Sequence, residues 1–159
     1  MNRDLYDPNG FISKAFGPSI WFHLHCVSLN FPIAPTDSDR QTYQTWFELT
    51  LKVLPCRACR DNVKGNLTAV RYCPWFDFSS RYHFSHLVWR LHRQVNSECV
   101  GSVAEEVSYE QFVNKYSQFR ATGCSDTTCD NNKWAPRCEI TISTDCAPGV
   151  TVKKHAKRY

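Results

Sequence analysis

Leu54-Pro55-Cys56-Arg57-Ala58-Cys59-Arg60 joins two stretches of helical periodicity, and the reading of its Cys-x-x-Cys pair decides the fold. Such a pair performs two-electron redox chemistry, shares a metal with further ligands, or forms an inert disulfide. The spacing alone leaves redox chemistry and zinc equally open. The neighbours favour a reactive pair. Pro55 suits a turn or a first helical position, and the run Arg57 to Leu67 holds few breakers before Gly65. Cys56 is therefore expected at a helix N-terminus, where unpaired N–H groups and the helix dipole favour a thiolate. Arg57 and Arg60 add positive charge, and a thiolate is the attacking species in disulfide exchange.

Outward from this turn, the chain reads as helix on both sides. Upstream, Tyr43, Trp46, Phe47, Thr50, Leu51 and Leu54 keep a helical period over residues 39–54, with Asp37, Ser38 or Asp39 as the expected cap. Before that, residues 1–16 read as a loose lead-in. Gly17-Pro18-Ser19 opens a helix carrying Ile20, Trp21, Leu24, Val27, Ser28 and Phe31, closed by Phe31-Pro32. His25 lies one turn beyond Trp21, so the two share a face, either as core residues or as ligand contacts. Downstream, the helix that begins at the pair fades near Gly65. The aromatic stretch Arg71 to Phe78, interrupted by Pro74, reads as a packed loop. A fourth helix spans about Ser79 to Cys99 on Phe84, Leu87, Val88, Leu91 and Val95. On it Val88, His92 and Asn96 fall on one line, so two polar groups there need water or a polar ligand. A fifth, shorter helix runs from Val107 to Phe119. Only Glu139 to Thr144 resembles a strand. The expected fold is therefore all-α, a bundle of four helices plus a short fifth. That weakens a thioredoxin-like reading of the Cys pair, which needs a βαβ setting.

Composition sets further bounds. A chain of 159 residues with 14% aromatics supports one cored domain, expected over residues 1–120, followed by a tail over 121–159. No apolar run reaches membrane-spanning length. The polar stretch Met1 to Gly10 has no apolar signal core, so a cytosolic location is expected, and the sequon Asn66-Leu67-Thr68 reads as incidental. Nine cysteines in such a chain suggest metal binding or catalysis. The net charge of +4 is matched by Lys153, Lys154, Lys157 and Arg158 at the C-terminal end. A neutral body is not built to bind nucleic acid, which calls for a basic face. The tail carries Cys124, Cys129, Cys138 and Cys146 among polar and turn-forming residues, and it is too polar to make a core. Disulfides, a mobile dithiol or zinc would staple it.

Three elements stand in order on this helical scaffold: Gly17-Pro18-x-x-Trp21-x-x-x-His25 with Phe31-Pro32, then Pro55-Cys56-x-x-Cys59, then His92-x-x-Val95-Asn96. Their combination over about residues 16–98 resembles the Erv/ALR family of FAD-linked sulfhydryl oxidases, and the compact chain looks like the versions carried by large DNA viruses. The resemblance implies a four-helix bundle cradling FAD, commonly as a homodimer. It implies that Gly17, Trp21 and His25 on the first helix and His92, Val95 and Asn96 on the fourth contact the cofactor. It further implies that Cys59 faces the flavin while Cys56 exchanges disulfides with client protein dithiols or a thioredoxin-like carrier. Electrons would then pass to molecular oxygen, giving hydrogen peroxide, with no metal. The host cytoplasm or the virion would be the place of action. The sequence departs from the family pattern in several places. Arg93 follows His92 where the family has Asn, Phe31 replaces Tyr, and Leu87 stands where a Trp is usual. No Lys follows Asn96, which leaves Lys115, Arg90 and Arg93 as candidates for the cofactor phosphates. Cys124 and Cys129 are candidates for a shuttle pair, and Cys26, Cys73 and Cys99 have no assigned role and would suit buried thiols. The rival reading is a non-enzymatic zinc-binding module in which Cys56 and Cys59 share a metal with tail cysteines.

Overall fold

Helices make up nearly all the regular structure of the protein in a computed structural model, which describes residues 8–100, 107–120 and the short pieces 138–139 and 153–154. The order is α1 (Ser13–Leu29), α2 (Asp37–Lys52), α3 (Arg57–Ala69), α4 (Pro74–Asp77), α5 (Arg81–Val100) and α6 (Tyr109–Ser117). The long helices α1, α2, α3 and α5 are the four of the expected bundle, and α6 is the short fifth. The chain divides into two compact units, Met1–Tyr116 and Ser117–Tyr159. Within the second, β1 (Cys138–Glu139) pairs antiparallel with β2 (Lys153–Lys154); the rest of the strand-like run Glu139 to Thr144 lies outside the described residues. Among the described residues, no helix is long and apolar enough to cross a membrane.

The core forms where the apolar stripes of α1, α2 and α5 meet. Phe31, Phe47, Phe78 and Phe84 are fully buried at its centre, with Leu24, Leu51, Leu87, Val88 and Leu91 around them. Phe84 is the hub. Its ring lies 5.4 Å from Phe31 and 5.8 Å from Phe47, both edge-on, and 4.5 Å from Phe78. Edge-to-face aromatic contacts of this kind add about 0.5–1.5 kcal/mol each beyond burial. Phe31 therefore follows the end of α1 and also fills the core, which ties the end of the first helix to the first turn of α5.

Local chemistry sets the boundaries, and several differ from the sequence reading. Helix α1 begins at Ser13 rather than Gly17 and carries Pro18 inside it; its first turn is exposed and so shows no apolar spacing. Helix α2 begins at Asp37 and is capped by Thr36, not by the acidic or serine residues after it. The Asp39 N–H donates to Thr36 Oγ1 at 3.1 Å and the Thr36 N–H donates to the Asp39 carboxylate at 2.9 Å, a reciprocal capping box. Helix α3 runs past Gly65, which is exposed and where a Cβ would meet nothing. It stops only at Ala69, where Arg71 turns into the left-handed region at φ 54°. The stretch read as a loop contains the single turn α4, begun by Pro74 at its first position and pinned by the Cys73 N–H donating to Asp77 Oδ2 at 2.8 Å. Residues 9–11 do not form a loose lead-in either: they pair with the Cys-x-x-Cys turn.

Candidate active site

The Cys56–Cys59 pair sits where α3 begins, at the point where its dipole is positive. The two are joined as a disulfide, with Cα atoms 5.2 Å apart. Cys56 is the N-cap of α3, and its Sγ accepts a hydrogen bond from the Cys59 N–H at 3.1 Å. Ser, Thr, Asp and Asn usually cap helices in this way; here the sulfur takes their place, so a charge on Cys56 would meet a donor already aimed at it. Arg60 fixes the turn from the other side by donating to the Leu54 carbonyl. Arg57 is largely exposed and lies 3.8 Å from the Asp61 carboxylate.

Both cysteines line an apolar cleft of about 260 Å³ between α1, α2, α3 and α5. Helix α1 contributes Gly17 and Trp21, α5 contributes Val95, and Leu24, Leu51 and Leu91 form much of the wall. The volume is near the lower end of the range for small-molecule sites, about 300–1,000 Å³. It suits a flat ring system lying against the disulfide.

Trp21 connects this cleft to a second group of rings. Its indole stacks on His92 with centroids 4.1 Å apart and planes 10° from parallel. His92 Nδ1 and His25 Nε2 share a hydrogen bond of 2.8 Å between α5 and α1. Phe112 and Tyr116 of α6 cover His25 at 4.6 and 5.0 Å. Burial holds the His25 imidazole down to about 3, helped by His92 and by the charge of Lys115. Burial and Lys115 lower His92 to about 4. Both rings are therefore neutral at neutral pH, and one nitrogen in the pair donates to the other. Whichever way the proton lies, His25 Nδ1 is buried with no partner, and an orphaned polar atom of this kind costs roughly 1–3 kcal/mol. Asn96 follows one turn after His92, half-buried, and is not part of the cleft wall.

The sequence-derived residues thus fall into two adjoining sets: Cys56, Cys59, Gly17, Trp21 and Val95 around the cleft, and His25 and His92 in the ring cluster behind Trp21. Cys124 and Cys129 lie outside the described residues. Of the three cations considered for phosphates, Arg90 is taken up by Asp77 at 2.8 Å and Arg93 lies 4.8 Å over the Trp89 ring. Lys115 is the one whose charge reaches both imidazoles. Cys99 is exposed, not buried, and stands in the cleft wall beside Glu98; Cys26 and Cys73 are half-buried thiols.

Sequence reading missed several neighbours. Asn66 is 7% exposed and lines the cleft, its amide against the Glu98 carboxylate, and the amide orientation that satisfies both groups puts its nitrogen 2.7 and 3.0 Å from the carboxylate oxygens. That burial also removes it as a glycan acceptor. Its signal was the helical spacing Cys59, Val63, Asn66, which puts all three on one face of α3. Phe112 and Tyr116 had a similar signal, a one-turn spacing that marks the inner face of α6.

Comparison with known proteins points the same way. The sequence model of the Erv1 / Alr family matches residues 18–117. A protein of Acanthamoeba polyphaga mimivirus named as a probable FAD-linked sulfhydryl oxidase is 43% identical over 47 residues, covering 30% of this chain and 33% of the relative. The chain thus spans about a third of the length of the curated relative it matches.

Proposed function

The chain belongs to the Erv1/Alr family, and from that premise we propose that it is an FAD-dependent thiol oxidase that forms disulfide bonds in client proteins, with oxygen as the terminal acceptor and hydrogen peroxide as the product. The observation that carries this reading is the Cys56–Cys59 disulfide in the wall of an apolar cleft backed by Trp21 and the neutral His25–His92 pair. The cleft and the orphaned His25 nitrogen suit a ligand with flat rings and polar edges. Gly17, Trp21, Val95 and Cys59 would hold the cofactor at the cleft, His25, His92 and Asn96 at the ring cluster, and Lys115 at its phosphates. When bound, FAD supplies a two-electron acceptor that oxygen can reoxidise.

The residues of the chain do the thiol chemistry. A client thiolate attacks Sγ of Cys56, forming a client–Cys56 disulfide and releasing Cys59 as a thiolate. The second client thiolate then attacks the client sulfur of that bond. This frees Cys56 as a thiolate and leaves the client with its own disulfide, so two electrons have moved onto the Cys56/Cys59 pair. The Cys59 N–H that lies 3.1 Å from Cys56 Sγ stabilises this leaving group. Cys59 holds the electrons on the cofactor side. Clients are protein dithiols or a thioredoxin-like carrier. The active form is a homodimer, and its place of action is the cytoplasm of an infected cell or the virion; the relative from a virus bears on the viral part of this reading alone.

A visible spectrum of the purified protein, with a zinc assay on the same sample, tests the proposal. A blue-region flavin band that bleaches with dithiothreitol without air and returns with oxygen is the expected result. A colourless protein with stoichiometric zinc would replace it with the metal-module reading.

A further inference from the structure

The turn that carries the disulfide is held from outside the bundle. Asn9-Gly10-Phe11 runs antiparallel to Pro55-Cys56-Arg57, with Gly10 bridged to Cys56. The Phe11 N–H donates to the Pro55 carbonyl at 2.9 Å, and the Arg57 N–H donates to the Asn9 carbonyl at 2.9 Å. Arg57 is the first residue of α3, so its N–H is one of the donors that a helix cannot satisfy internally. The strap satisfies it and flanks Cys56 on both sides by backbone bonds.

Gly10 makes the approach possible in two ways. It lies at φ 75°, where an L side chain is strained, and a Cβ there would stand 1.9 Å from the Pro55 carbonyl oxygen. No side chain other than hydrogen fits while the strap stays in place.

We propose that the Asn9–Phe11 strap is a positioning element of the redox turn, and that Gly10, by letting the strap lie against Pro55 and Cys56, keeps Cys56 in the extended N-cap conformation in which the Cys59 N–H meets its sulfur. The proposal rests on the reading of Cys56 as the exchanging thiol. It assigns Gly10 no contact with client or cofactor. The strap acts through the backbone of the turn, and what it controls is the fraction of Cys56 present as thiolate in the reduced enzyme. Among the described residues the charged groups that share this environment are few. Arg57 and Arg60 lie on α3 itself, with Asp61 beside Arg57, and Glu98 reaches the cleft wall from α5 next to the Cys99 thiol. The cleft-lining residues from α1 and α2 are uncharged. The strap meets Arg57 through its backbone N–H, so loosening it changes the donor geometry at Cys56 while the charged side chains stay on α3 and α5.

The test is the pH profile of Cys56 alkylation, read by peptide mass spectrometry in full-length protein carrying Cys59→Ala, with and without Gly10→Ala. Thiols at helix N-termini titrate up to about 7.5 and a free cysteine near 8.5, a difference that cuts the thiolate fraction at pH 7 by about eightfold. The expected result is a Cys56 profile displaced upward by Gly10→Ala, with the alkylation rate at pH 7 lower by up to that factor. The thermal midpoint should stay close to the parent's, and Gly65→Ala, on the same helix in open space, should leave the profile unchanged. An unmoved Cys56 profile in folded Gly10→Ala protein overturns the proposal, as does an equal displacement by Gly65→Ala. Should Gly10→Ala not fold, Phe11→Pro, which removes the N–H bound to Pro55, is judged by the same criterion. The readout needs neither flavin nor turnover, so failure of the strap and failure of the oxidase reading appear in different measurements.

Discussion

His25 and His92 form a buried imidazole pair that stays uncharged, and this makes stability depend on pH. Both are held far below the ordinary value of 6.5, His25 to about 3 and His92 to about 4, mainly by burial. Between about pH 6.5 and pH 4 the unfolded chain takes up protons that the folded chain refuses. Their contribution is complete above the upper limit and is lost as the pH falls through the window. At about 1.4 kcal/mol per unit of displacement, tempered by the coupling between the rings, the loss should be about 2–4 kcal/mol. Urea midpoints at pH 7.5 and pH 4.5 should show it, and His25→Phe should flatten the difference. Equal slopes in the two proteins would assign the effect to the carboxylates. The cysteines make a separate prediction. Cys59→Ala should abolish dithiol turnover and leave a yellow protein, because it removes a sulfur and little of the cleft. A variant that still oxidises dithiols at the parental rate would move the cofactor-side role to another thiol.

At the scale of elements, the end of α3 carries a correctable strain. The Tyr72 N–H donates to Leu67 O at 2.9 Å and the Arg71 N–H to Thr68 O at 3.0 Å, the pairing of a Schellman stop, with exposed Arg71 at φ 54° where glycine is the usual residue. Left-handed backbone costs an L residue about 1–2 kcal/mol, and glycine's extra freedom in the unfolded chain returns part of that. Arg71→Gly should therefore stabilise the fold by about 0.5–1 kcal/mol in chemical denaturation, and a lower midpoint would show that Arg71 holds something through its side chain. The same helix shows what the sequence conveys and what it hides. The apolar period of α2 and α5 is legible because each buries one stripe under Phe84 and its neighbours. Gly65 read as an end because a glycine inside a helix costs about 1 kcal/mol relative to alanine, a cost the packing of α3 on α2 and α5 overrides. The first turn of α1 faces water, so it had no stripe to read, and Gly17-Pro18-Ser19 looked like the opening of the helix. At the site, one-turn spacings put Trp21 with His25 and His92 with Asn96, whereas the bond from His25 to His92 depends on how α1 crosses α5. The strap had only a local cue, the turn-prone pair Asn9-Gly10, and its partner lies far along the chain.

For the whole molecule, the question is whether the bundle is complete without the tail. Among the described residues the main buried cluster runs from Leu24 to Leu91, Phe112 is buried beyond it, the ring cluster closes with Tyr116, and the family match ends at 117. The first compact unit ends at Tyr116. All the named cleft and cluster residues thus precede the Cys-rich segment, and the apolar burial seen among the described residues, the kind that dominates stability, belongs to the first unit. A chain ended after Arg120 should therefore fold with a thermal midpoint within a few degrees of the full-length protein. It should also keep bound flavin and oxidise dithiothreitol at a rate within about twofold. Its deficit should appear with folded protein clients, for which a small dithiol's free access to Cys56 is no guide. Cys124→Ala in the full chain should reproduce that deficit if Cys124 and Cys129 shuttle electrons to the bundle. Equal slowing on both kinds of substrate would place the tail's effect on the bundle itself. A truncated chain that loses its flavin would move the domain boundary beyond Arg120 and make the tail part of the cofactor site.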